Sequence, residues 1–80
     1  MSDSILVDAR GHRCPVPSLR LRKAMEGLAP GIRLTLLASD PMARIDVPYL
    51  MADLGGMVCA VEEQDGALRI TVETGAVPTG

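Results

Sequence analysis

Few side chains in this sequence can do covalent chemistry: Cys14, Cys59 and the single histidine, His12. Cys14 stands in Arg13-Cys14-Pro15-Val16-Pro17, where a strand-like run has ended and a helical pattern begins. Pro15 suits the first position of a helix, because its missing N–H would have had no partner there. Pro17 still falls within the first turn and removes another such donor. The pattern predicts Cys14 as the N-cap, with Pro15 fixing where the helix starts. Unpaired backbone N–H groups and the positive end of the helix dipole would then favour the reactive thiolate. Arg13 and Arg10 would add positive charge, as would His12 when protonated.

The remaining candidates read as structural. His12 lies two residues before Cys14, whereas Cys-His nucleophilic enzymes bring their base from far along the chain. It therefore reads as a loop residue or partner contact rather than a general base. Cys59 has Met57 and Val61 as its neighbours on one strand face. It reads as a buried structural thiol, with a resolving or disulfide partner for Cys14 as the alternative. Two cysteines and one histidine make no zinc site. Asp40 and Asp46, six residues apart and near a proline, read as cap and surface residues.

Charge is uneven. The formal net charge is −2, yet five of the eight basic residues (Arg10, Arg13, Arg20, Arg22 and Lys23) lie between 10 and 23. As a group they suggest a basic docking surface around Cys14. One by one they fit a solvated helix face equally well. With one Tyr and no Phe or Trp, the chain lacks the stacking platforms of single-strand binders. Neither nucleic acid nor membrane is expected as a direct partner. Met1-Ser2-Asp3-Ser4 shows no signal-peptide pattern, and no apolar run approaches a spanning length. A cytoplasmic setting with reduced thiols is expected.

The elements that must hold Cys14 follow from periodicity. A short apolar strand covers Ile5 to Val7. A helix from Pro15 to about Leu28 carries the stripe Pro17, Leu21, Ala24, Met25, Leu28, leaving Leu19 outside it. Ile32 to Ser39 alternates as a second strand. Asp40-Pro41 opens another helix, predicted as a loose turn through Asp46 and a firmer helix to Leu54, with Pro48 as breaker or kink. Met57 to Glu63 and Ala67 to Thr74 are strands joined by Asp65-Gly66, a strong hairpin signal. The tail from Gly75 to Gly80 is expected to fray.

The order βαβαββ predicts one α/β domain over residues 1–80, an α+β two-layer sandwich. Its four-stranded mixed sheet has both helices on one face. Arg33, Thr35, Leu37, Arg69, Thr71 and Glu73 would form the exposed face.

The run Val7-Asp8-Ala9-Arg10-Gly11-His12-Arg13-Cys14-Pro15-Val16-Pro17 resembles the signature of the TusA (SirA-like) family, an aliphatic-Asp pair and a Gly followed by Cys-Pro-x-Pro. Leu21-Arg22-Lys23, Pro30-Gly31, Asp40-Pro41, Asp46-Val47-Pro48, Gly55 and Glu62-Glu63-x-Asp65-Gly66 agree as well. The resemblance covers about residues 5–74. It implies sheet order 1-2-4-3 with strand 4 antiparallel to the rest. It also implies a sulfur carrier, a relay protein rather than a stand-alone enzyme, that needs no cofactor beyond a covalent persulfide on Cys14. Arg13, Pro15 and Pro17 would be supporting motif residues, and Arg10, Arg20, Arg22 and Lys23 docking residues. Implied partners are a cysteine desulfurase or other persulfide donor and a downstream acceptor. The family serves tRNA thiolation, molybdenum-cofactor assembly or sulfur oxidation. The chain departs from the family pattern at His12, at Gly56 and at Glu73-Thr74-Gly75, surface positions that bear on docking. A non-enzymatic, redox-responsive regulatory or binding module is the alternative.

Overall fold

The computed structural model describes residues 4–75. The elements are β1 (Ile5–Ala9), α1 (Val16–Met25), β2 (Arg33–Ala38), α2 (Ala43–Asp53), β3 (Met57–Gln64) and β4 (Ala67–Glu73). The sheet order is β1-β2-β4-β3. β1 runs parallel to β2, while β4 is antiparallel to both β2 and β3. The expected βαβαββ order and sheet topology are both present. From Ala76 onward, the tail expected to fray lies outside the described residues.

One apolar layer separates sheet and helices. Leu34, Leu36 and Ala38 of β2 and Leu68, Ile70 and Val72 of β4 meet Leu21 of α1 and Ala43, Val47 and Met51 of α2. The alternate residues of each strand reach this layer because side chains in a strand alternate between faces. In place of aromatic rings the core packs branched aliphatics and one methionine.

α1 is shorter than its periodic stripe. It stops at Met25 because Gly27 takes φ 77, a left-handed conformation that ends a helix. Leu28 still packs on the core, from the turn beyond the helix, where its N–H donates to the Met25 carbonyl. α2 departs the other way. Instead of breaking, it runs unbroken through Pro48. Proline removes the bond to the carbonyl four residues back, that of Arg44. Pro48 and Arg44 are both exposed, so the unpaired carbonyl is not buried. Val47 and Met51, fully buried on the opposite side, hold the helix across the defect.

The far face of the sheet is drier than alternation predicts. Arg33 and Arg69 are exposed, but Thr35 is buried. β2 is a central strand, so Thr35 lies between Leu6 and Thr71. Its hydroxyl also shares a hydrogen bond of 3.1 Å with Ser4. In the hairpin, Asp65 (φ 54) and Gly66 (φ 78) both adopt the positive φ of a type I′ turn.

Thr74 clasps the other end of the sheet. Its backbone N–H donates to Ile32 at 2.8 Å, and its carbonyl accepts from Gly31 at 2.8 Å. Its hydroxyl accepts from the Ile32 N–H at 2.9 Å and donates to the Ala29 carbonyl at 2.6 Å. The residue is buried. Thr74→Val keeps the shape and removes both hydroxyl bonds. It is expected to cost about 1–3 kcal/mol, the range for buried polar groups left unpaired. Urea unfolding checks this, with Thr74→Ser losing clearly less.

Candidate functional site

Cys14 lies at the end of the sheet where β1 and β2 both finish, in the connection between β1 and α1. Two bonds pin this connection to the chain that follows β2. Gly11 donates its N–H to the Ser39 hydroxyl at 3.0 Å, and Cys14 donates its N–H to Asp40 Oδ2 at 2.7 Å. Asp40 Oδ1 accepts the Met42 N–H at 2.9 Å. One carboxylate therefore caps the approach to α2 and holds the cysteine backbone. These two bonds, that of Cys14 first, draw the Asp40 carboxyl below its usual value. Because the folded-state value is depressed, the stabilisation is complete above the ordinary carboxylate range and is lost as pH falls through the lower folded value.

The sulfur is not where the sequence placed it. Pro15, not Cys14, occupies the N-cap of α1, and the Cys14–Pro15 peptide bond is cis. The thiol is half-buried and turned toward α2, where Sγ donates to Asp46 Oδ2. A carboxylate that accepts the S–H proton opposes its loss. That hydrogen bond comes first, then desolvation, then the negative charges of Asp46 and Asp40, and together they push the thiol from 9.0 up to about 11. The expected acidic thiol is thus corrected to one that holds its proton at neutral pH. Neither arginine invoked for it is among the causes acting on the thiol. Arg10 pairs with Asp8 at 2.8 Å and draws that carboxyl down to about 2. Arg13 places its charge near Asp40.

Arg10 and Arg20 both bring their charge to Asp8, at the end of β1. Arg20 and Lys23 line a groove with Ile5, Leu6 and Leu19 along the β1 edge. Arg22 lines a separate groove with Leu28, Leu54 and Thr74. Exposed apolar side chains also stand along α2 and its approach. Met42, Ile45 and Tyr49 stand at 43, 55 and 78% exposure, at helical spacing beside Asp46.

Cys59 is exposed rather than buried. The register steps from Val58↔Val72 to Ala60↔Thr71, so Cys59 is the extra residue of a bulge. A bulge interrupts the alternation that put Cys59 on a face with Met57 and Val61. His12 is half-buried in the loop before Cys14, and its N–H donates to the Ala9 carbonyl at 3.3 Å.

Sequence reasoning missed Asp46. Nothing along the chain links residue 46 to residue 14; the parallel crossover and the unbroken start of α2 bring them together. The hints along the chain were a carboxylate in the first turn of a helix and the agreement of Asp46-Val47-Pro48 with the family pattern.

Fold and site define a class: a two-layer α/β domain that presents one protonated cysteine at the end of its sheet, held by carboxylates of the second helix and its approach. The chain belongs to the family described as "Sulfurtransferase TusA", whose model matches residues 5–74. A relative from Archaeoglobus fulgidus is 43% identical over 68 residues, covering 84% of this chain and 88% of its own. The sulfur carrier protein TusA of Pseudomonas aeruginosa is 39% identical over 64 residues, 80% of each chain. A crystal structure of a SirA-like protein from Desulfitobacterium hafniense superposes with a TM-score of 0.78 at 28% identity, covering 89% of this chain and 97% of the other. Among the described residues, no helix is long and apolar enough to cross a membrane.

Proposed function

We propose that this protein is a sulfur carrier that accepts sulfane sulfur on Cys14 as a persulfide and hands it to an acceptor. The observation that carries the reading is the placement of Cys14. It is the half-buried thiol at the open end of the sheet, with its backbone and its sulfur each bonded to α2 or its approach. A relay needs a thiol in a fixed, reachable position, and it needs no enclosed substrate pocket. The relatives named as sulfur carriers support the same reading.

The donor would be a cysteine desulfurase or another persulfide-bearing protein, and the acceptor a second protein. tRNA thiolation, molybdenum-cofactor assembly and sulfur oxidation are the processes the family resemblance offers. The work would take place in the cytoplasm. Arg13, Pro15 and Pro17 would shape the loop. Arg10, Arg20, Arg22 and Lys23 would contact partners, Arg10, Arg20 and Lys23 from around Asp8 and Arg22 from a neighbouring groove. The redox-responsive alternative fares less well, because redox-sensing cysteines are thiols of low pKa, and the Cys14 thiol is pushed up instead.

Intact-mass measurement after incubation with a cysteine desulfurase and free cysteine tests the proposal. The expected result is a gain of one sulfur atom per chain, mapped to Cys14 and removed by reductant. Modification of Cys59 alone, or of neither cysteine, would overturn it.

A further inference from the structure

We infer that Asp46 is the positioning and proton-holding residue of the sulfur-transfer step: it takes the Cys14 proton as the new S–S bond forms and returns it to the departing donor thiolate. The inference rests on the carrier reading above. It starts from the Sγ–H bond to Asp46 Oδ2, made across 32 residues of sequence. Asp46 lies on α2 between the core-facing Val47 and the exposed Ile45, and it is half-buried.

The charged groups facing Cys14 are few. Asp46 comes from α2 and Asp40 from the approach to it, and the first turn of α1 carries no acidic residue. Arg13 is adjacent in the loop, with its charge near Asp40. Asp40 already binds two backbone N–H groups, one through each oxygen. Asp46 is therefore the carboxylate in contact with the thiol proton.

The step balances without an oxidant. Cys14–SH and a donor R–S–SH give Cys14–S–SH and R–SH. Cys14 Sγ attacks the outer sulfur of the donor, and the bond between that sulfur and the donor's inner sulfur breaks. The electron pair leaves on the inner sulfur. The Cys14 proton goes to Asp46 and then to the leaving thiolate. An alkyl thiolate is a poor leaving group at neutral pH and gains from that proton. General acid–base help of this kind typically amounts to two to four orders of magnitude.

Two reactions separate this role from simple packing, both run in a Cys59→Ala background. The first is exchange with an aromatic disulfide, whose leaving thiolate needs no proton. The second is sulfur uptake from a small alkyl persulfide. In Asp46→Asn the thiol should lose the largest cause of its raised value while burial and Asp40 still act on it, so disulfide exchange at pH 7 should rise, by less than roughly tenfold. Its pH profile should level off clearly below the value of about 11 that sets the unsubstituted protein's profile. Persulfide uptake should fall by roughly a hundredfold, and Asp46→Glu should recover part of it. Opposite movement of the two rates supports the assignment. Unchanged uptake, or both rates moving together, overturns it while leaving the carrier reading intact. If unsubstituted protein takes no sulfur on Cys14 from the alkyl persulfide or from a desulfurase, the carrier reading and this inference fall together.

Discussion

At pH 7, Cys14 is expected to exchange with a small aromatic disulfide about tenfold more slowly than a cysteine in an unstructured peptide. Two opposing effects set that figure. Raising the thiol from 9.0 to about 11 leaves roughly a hundredfold less thiolate at neutral pH. A more basic thiolate is also more nucleophilic, and the usual dependence returns roughly a factor of ten. The loss of population wins. The rate should keep climbing past pH 9, where an ordinary thiol begins to level off. Absorbance measurements between pH 6 and 10, with Cys59 replaced by alanine, decide the matter. A plateau at or below pH 9 would show that the carboxylates do not hold the proton. The functional sense of the arrangement is selectivity: a thiol that is slow toward stray disulfides suits a carrier whose sulfur should come from a dedicated donor.

Leu36→Ala is expected to cost about 2–5 kcal/mol of folding stability, the range for truncating a buried leucine. Leu36 sits in the centre of β2 with no exposed surface, opposite Val7 on one side and Ile70 on the other. A chain of 80 residues has in total only about 4–12 kcal/mol by the usual per-residue scale. The variant should thus lose a large share of its stability, and its urea midpoint should fall accordingly. Leu19→Ala on the same measurement should change stability by no more than about 0.5 kcal/mol, because Leu19 is 56% exposed. If the two variants behaved alike, the core assignment would be wrong.

The fold was legible because its signals are local. The stripe through Leu21, the alternation in β4, the Asp65-Gly66 turn and the two Pro-marked helix starts each lie within a few residues. Departures arose where a tertiary contact outweighed a local rule. Val47 and Met51, buried against the sheet, carry α2 through Pro48. The positive φ of Gly27 ends α1 early, although the apolar stripe continues to Leu28. Cys59 is exposed because β3 is an edge strand on which Met57 and Val61 are exposed as well, and a bulge there breaks the alternation. The site followed the same division. Cys14 stood out from its own neighbours in sequence. Its acidity depends on Asp46, 32 residues away in sequence, and could be read only once the helix was in place. The charges next to Cys14 in sequence pointed the opposite way, since Arg10 is nearby along the chain but pairs with Asp8, and neither Arg10 nor Arg13 is among the causes acting on the thiol.

The register of the sheet also decides how this domain can be joined to others. Ile5 lies opposite Leu34, which lies opposite Val72, so the chain enters β1 and leaves β4 at one end of the sheet. Ala9, Ala38 and Leu68 mark the other end, which leads to Cys14 and Asp40. Roughly 13 Å of strand separates the two ends, at about 3.3 Å per residue. A neighbour fused through either described end would attach at the end of the sheet away from the thiol. A flexible connection there would hold the carrier near its partner at about millimolar effective concentration, so that delivery becomes a matter of reach rather than of affinity.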